Sequence, residues 1–184
     1  MAPEQERALA YLRRKGTDAD PESLRQRIAA AFADFESTLE GLGGEDVRRR
    51  PAGGGWCVQE VVDHLVESHR RAAAQLAAIV AGRPACEAVP AGLLSADPLA
   101  RDWDDLASEL KRVHAEVLDA FAKGTAEIGA APRAPVVMVV KVREGDGPPQ
   151  PREWIEELDW KAFALGIGVH TREHADQVRR ILGA

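Results

Sequence analysis

Cys57-Val58-Gln59-Glu60-Val61-Val62-Asp63-His64-Leu65 opens a run that continues to about Ala81. Within it Val58, Val62, Leu65, Ala72, Leu76 and Ile79 return at helical intervals, so they line one side of an α-helix. Cys57 stands near the N-cap, and Glu60 three residues on is placed to close a capping box. Gly82 and Pro84 end the helix. Upstream, Asp20-Pro21-Glu22 reads as an N-cap, a proline at the first helical position and an acid in the first turn. Behind it Leu24, Ile28, Phe32, Phe35, Leu39 and Leu42 form a second apolar stripe, closed by Gly43-Gly44. Pro3 to Lys15 reads as a short helical arm stopped by Gly16.

Downstream, Pro51 to Gly55 is a loop, and residues 83–101, with Pro84, Pro90 and Pro98, form a long connection. A third stripe follows Asp102, with Trp103, Leu106, Leu110, Val113, Val117 and Phe121 inward. Val136, Val137, Met138, Val139, Val140 and Val142 then predict a strand or short hairpin, closed by Glu144-Gly145-Asp146-Gly147. Pro151-Arg152-Glu153 is read as the start of a last helix reaching about Leu182. The expectation is an all-α four-helix bundle over residues 20–184. An N-terminal helical arm over residues 1–19 precedes it, and a β-like or irregular insertion interrupts it before the last helix.

Composition narrows the function. The chain has 184 residues, 45% of them hydrophobic and only 5% aromatic, a globular balance that favours helices. The formal net charge of -6 works against phosphate backbones, so no nucleic-acid partner is expected, and Arg48-Arg49-Arg50 reads as a solvated loop. Cys57 and Cys86 make no disulfide framework, and nothing in the sequence supports the single bridge that two cysteines allow. Met1 to Leu12 has no signal-peptide core, and no stretch approaches the roughly 20 apolar residues of a membrane helix. A cytoplasmic location without membrane contact is the expectation.

The histidines carry the chemistry. His170 and His174 are four apart, project from one helix face and can close on one metal ion. Phe163, Gly166, Gln177 and Ile181 share that face; Gly166 and Gly168 either leave room for a ligand or a close helix contact, or mark a kink. A third ligand must come from another helix. Periodicity sets His69 closer than His64 to the centre of its stripe and leaves His114 beside its own, so spacing alone favours His69.

Trp56-Cys57-Val58-Gln59-Glu60-Val61-Val62-Asp63-His64-Leu65 resembles the W-[ST]-x-x-E-x-x-x-H-L motif of the DinB/YfiT-like metal-binding four-helix bundles. His170-Thr171-Arg172-Glu173-His174-Ala175-Asp176-Gln177 is similar to their H-x-x-x-H-x-x-Q stretch. The resemblance runs from about Asp20 to the end of the chain. It implies an up-down-down-up bundle and one divalent metal on His64, His170 and His174, with no metal role for His69 or His114. Cys57 departs from the usual Ser or Thr; a thiol at a helix N-terminus is either reactive or a small buried cap. The Val-rich segment is a second departure, suited to lining the site or to packing against another subunit. Asp63 and Glu67 are candidates to orient an imidazole. Gln177 is placed to hold a ligand, and Trp56 to act as a helix staple.

Three neutral nitrogen ligands leave a divalent ion its charge and an open position, the pattern of a catalytic site. Zinc, nickel and iron all suit such ligands. The resemblance implies members that transfer low-molecular-weight thiols, so the first expectation is a metal-dependent S-transferase. It would join a thiol such as mycothiol or bacillithiol to a small electrophile, in detoxification or stress response. Gln177 and Arg172 are the candidate cofactor contacts, with Arg70 and Arg71 as further cations. The alternatives are a non-catalytic metal-binding bundle that dimerises, and a metal-dependent hydrolase. A small-molecule substrate and a homodimer complete the expectation.

Overall fold

The computed structural model describes residues 2–124, 128–129, 132–143, 147 and 150–183. Helix α1 (Pro3–Leu12) runs through a π-helical turn (Arg13–Thr17) into α2 (Pro21–Thr38). A single-turn α3 (Glu45–Arg48) and a loop lead to α4 (Val58–Val80) and then α5 (Trp103–Ala122). Strands β1 (Arg133–Val142) and β2 (Gln150–Asp159) precede the last helix, α6 (Trp160–Leu182). Among the described residues, no helix is long and apolar enough to cross a membrane.

Helices α2, α4, α5 and α6 form the bundle, and their buried residues fall into two apolar clusters. One holds Leu24, Ile28 and Phe32 of α2, Leu76 and Ile79 of α4, Val117 and Phe121 of α5, and Trp160 and Phe163 of α6. The other holds Phe35 of α2, Val58, Val62 and Leu65 of α4, Leu106 and Leu110 of α5, and Val178 and Ile181 of α6. Helices α2 and α6 therefore run from the first cluster to the second, while α4 and α5 run the other way. That is the up-down-down-up order, and the long segment between α4 and α5 exists because two parallel neighbours cannot be joined by a tight turn. Between the clusters lies a polar layer in which His64, His69, His114 and Thr171 are all buried.

The caps match their residues. The Asp20 and Asp102 carboxylates accept from Ser23 N and Asp105 N. Glu60 accepts from the Cys57 N–H at 2.8 Å, the backward half of a capping box. Burial raises the Cys57 thiol above its ordinary range, so this cysteine is a buried cap and not an activated nucleophile. The N-terminal segment packs on the body of the bundle. Gly16 is buried against Ala162, where an added Cβ would lie 2.7 Å from the Ala162 Cα.

One boundary differs from the sequence expectation. The last helix does not open at Pro151-Arg152-Glu153; those residues belong to β2, and the helix starts at Trp160. Residues 154–158 alternate, with Trp154, Glu156 and Leu158 less exposed than Ile155 and Glu157. Two-residue periodicity and ten paired positions with β1 override the helix-start signal of Pro151. The true N-cap is Asp159, whose carboxylate accepts from Lys161 N and Ala162 N. Glu144, Gly145 and Asp146 of the expected hairpin turn lie outside the described residues. Val136 pairs with Glu156 and Met138 with Trp154, giving the antiparallel ribbon an inner face.

Leu65 is fully buried in the second cluster, one residue from His64. Leu65→Ala is expected to lower unfolding free energy by about 2–5 kcal/mol in urea titration, with an unchanged slope.

A candidate three-histidine metal centre

The α4 and α6 faces that meet in the polar layer bring His64, His170 and His174 together, with ligand nitrogens all within 4.8 Å of one another. His170 Nε2 lies 3.1 Å from His64 Nε2 and 3.0 Å from His174 Nε2. Two imidazole nitrogens bound about 2.0–2.1 Å from one ion lie roughly 3.0–3.4 Å apart, so the spacing fits shared coordination.

The second ring nitrogens show which lone pairs are free. His64 Nδ1 is 2.7 Å from the Leu93 carbonyl, which can only accept, so Nδ1 carries the hydrogen and Nε2 the lone pair. His174 Nδ1 donates to Gln177 Oε1 at 2.8 Å, with the same result. His170 Nδ1 is 3.2 Å from His69 Nε2, which leaves His170 Nε2 turned to the centre. With the His170 hydrogen on Nδ1, as ligation through Nε2 requires, three acceptor lone pairs converge in a buried layer. They repel one another unless a cation or a proton sits among them, and this donor set fits a divalent ion.

Protons are disfavoured there. Burial pushes His170 well below the ordinary imidazole range, and the neighbouring His174 and His64 push it further. Burial, with His64 beside it, brings His174 down to about 4. His64 is lowered by burial, against the opposing pull of its Leu93 bond and Asp63. His69 is lowered most by burial and then by His170, and His114 by burial against its bond to Glu36. All five imidazoles are neutral at pH 7.

A clamp on the α4–α5 connection delivers the Leu93 carbonyl. Buried Asp63 accepts from Ser95 N and Ser95 Oγ, each at 2.8 Å, and pairs with Arg101 at 2.8 Å. Gln59 donates to the carbonyls of Pro98 and Arg101, and Gln75 to those of Cys86 and Glu87. Asp63 therefore acts on His64 by way of the loop and does not accept from an imidazole. Glu67 pairs with Arg70 and Arg101 at the surface of this network, and among the described residues it makes no hydrogen bond to a histidine.

The cluster opens on a cavity of about 470 Å³. Val136, Met138 and Val140 of β1 line it together with the histidines, and Tyr11, Leu12, Trp56, Ala72, Phe163 and Ile167 are among the other walls. The Val-rich strand thus lines the site. Gly166 also lines it, and nothing lies within 4 Å of where its Cβ would be, whereas Gly168 packs on Ile28 and Ala31 of α2. Trp56 is more than a staple, since its ring centre lies 4.9 Å from that of His64 and 6.3 Å from that of His174. Among the described residues, no Lys or Arg lines the cavity. Arg172 points to the Arg27 carbonyl on α2, Arg70 pairs with Glu67 and Glu109, and Arg71 is not a lining residue. Glu173 is the lining carboxylate; burial raises it above the usual range, against the pull of Lys141.

Sequence reasoning missed three features. The Leu93 carbonyl is a backbone atom with no signature. The position of His69 behind His170 requires knowing how α4 and α6 cross. Glu173 had a detectable signal, because it lies three residues after His170 and so near its face.

The depressed histidines make acid destabilising. Below about pH 6.5 the unfolded chain takes up protons that the folded chain refuses, so stability falls as pH drops from there toward the His174 value of about 4. The thermal midpoint of metal-stripped protein is expected to fall steadily over that window, and His174→Gln is expected to flatten the profile.

No functionally curated protein matches the chain in sequence. In fold it is similar to YfiT from Bacillus subtilis, described as a probable metal-dependent hydrolase with an unusual four-helix bundle topology. The TM-score is 0.60 at 18% identity, over 89% of this chain and 87% of that one. The sequence profile of the DinB superfamily matches residues 27–178, which takes in the α2 stripe from Ile28 onward, all three clustered histidines and the hairpin between them, and the chain belongs to that superfamily.

Proposed function

We propose that the chain is a metal-dependent enzyme that joins a low-molecular-weight thiol to a small, uncharged, largely apolar electrophile. The observation that carries this reading is the convergence of three imidazole lone pairs at the wall of an apolar cavity. A divalent ion bound there would supply Lewis acidity and lower the pKa of a nucleophile sharing its coordination sphere. His64, His170 and His174 would hold it, and Leu93, His69 and Gln177 would fix their rings.

The lining restricts both reactants. Among the described residues, a thiol carrying carboxylates meets no Lys or Arg in the cavity lining. Bacillithiol and glutathione are therefore disfavoured against mycothiol, whose cysteine carboxyl is tied up in an amide. Val136, Met138, Phe163 and Ile167 would hold an apolar electrophile beside the sulfur. The sulfur forms a bond to carbon while an epoxide C–O bond opens, and the proton lost by the thiol ends on the new hydroxyl.

Glu173 favours a second reading, metal-dependent hydrolysis. A carboxyl raised by burial at the cavity edge is suited to take a proton from an attacking water, work worth about 10²–10⁴-fold in rate.

Metal analysis at saturating zinc should find one divalent ion per wild-type chain, lost in His170→Ala and kept in His69→Ala and His114→Ala. Single-turnover transfer to an epoxide is expected with mycothiol, weakly with bacillithiol and glutathione, and not in His174→Ala. If no thiol reacts faster than without protein, while an aryl ester is hydrolysed and Glu173→Gln slows this at least 100-fold, hydrolysis replaces transfer. Metal binding with neither activity would favour a non-catalytic bundle.

A further inference from the structure

Among the described residues, two buried imidazole nitrogens have no hydrogen-bond partner, His69 Nδ1 and His114 Nε2. The two residues are 1% and 2% exposed, and their ring centres are 5.5 Å apart. Orphaned polar atoms at that depth cost stability and call for an explanation.

Their tautomers are set from opposite ends. His114 Nδ1 lies 2.7 Å from Glu36 Oε1, and a carboxylate only accepts, so the hydrogen is on Nδ1 and the lone pair on Nε2. The His114 ring is also stacked on Phe32, 3.9 Å between centres and 2° from parallel, which fixes its plane. At the other end, a His170 that ligates metal through Nε2 carries its hydrogen on Nδ1 and donates it to His69 Nε2, 3.2 Å away. The His69 hydrogen is then on Nδ1. The orphans are therefore a donor on His69 and an acceptor on His114, a matched pair.

We propose that one buried water joins them and completes a chain, His170 to His69 to water to His114 to Glu36, that positions His170 for metal. The chain takes one side chain from each bundle helix, α6, α4, α5 and α2, and each imidazole N–H in it points toward Glu36. The carboxylate at its end polarises the series, holds His170 as the tautomer whose Nε2 faces the cluster, and makes that nitrogen a better donor to a cation. His69 and His114 are positioning residues that act on the ion through His170. This inference rests on the metal-centre reading.

The test uses the full chain loaded with zinc, with imidazole tautomers read from long-range 1H–15N NMR and zinc affinity from competition with a chelator. Wild-type His69 and His114 should both show the Nδ1–H tautomer. Glu36→Gln removes the obligate acceptor, so His114 should leave the pure Nδ1–H form and the zinc Kd should rise about 10-fold. His114→Phe should weaken zinc similarly. Glu36 is 26% exposed at its side chain, so Glu36→Gln stays informative where His114→Phe fails to fold. An Nε2–H tautomer at either ring of the wild type, or zinc bound by Glu36→Gln within twofold of wild type, overturns the chain and leaves the metal centre standing. Failure of the wild type itself to bind zinc overturns both.

Discussion

Three imidazole nitrogens that converge in a buried layer, those of His64 and His174 each about 3 Å from that of His170, are the constraint around which this bundle is arranged. Protons are disfavoured there by the burial of every ring. Each ring is instead fixed from behind, His64 by a backbone carbonyl, His174 by an amide and His170 by another imidazole. The lone pairs have no other direction to take.

The fold supplies what such a layer needs. Apolar clusters on either side hold the four helices without help from the histidines. Removing a metal should therefore leave the bundle folded, unlike small metal-nucleated domains. The parallel course of α4 and α5 forces a long connection between them, and buried Gln59, Asp63 and Gln75 tie that connection to α4. A topological necessity thereby becomes the source of the carbonyl that orients His64. Strand β1 lines the cavity with Val136, Met138 and Val140, so a reactant beside the histidines meets largely apolar walls and, among the described residues, one carboxylate.

The bundle was legible in the sequence because helix signals are local. Apolar intervals of three and four, and caps such as Asp20 and Asp102, declare themselves within a few residues. The start of α6 was misread for the same reason: Pro151-Arg152-Glu153 has the local look of a helix start, while its partner strand lies about ten residues away. The histidines divide similarly. His170 and His174 share a helix, so their spacing exposed them. Periodicity preferred His69 over His64, and His69 is indeed the more deeply buried, at 1% against 4%. Depth is not direction, however. The His69 ring meets the back of His170, while that of His64 meets its front, and only the motif around Trp56 pointed to His64. Asp63 was recognised as important for a neighbour it does not touch, because its partner Ser95 lies 32 residues away in an irregular segment.

The central claim is that His64, His170 and His174 bind one ion together through Nε2. X-ray absorption at the metal edge of protein carrying one equivalent of zinc tests it directly. The account predicts a first shell with three imidazole nitrogens at about 2.0–2.1 Å and a further light atom. A shell with one imidazole or none, or one dominated by carboxylate oxygens, would contradict it.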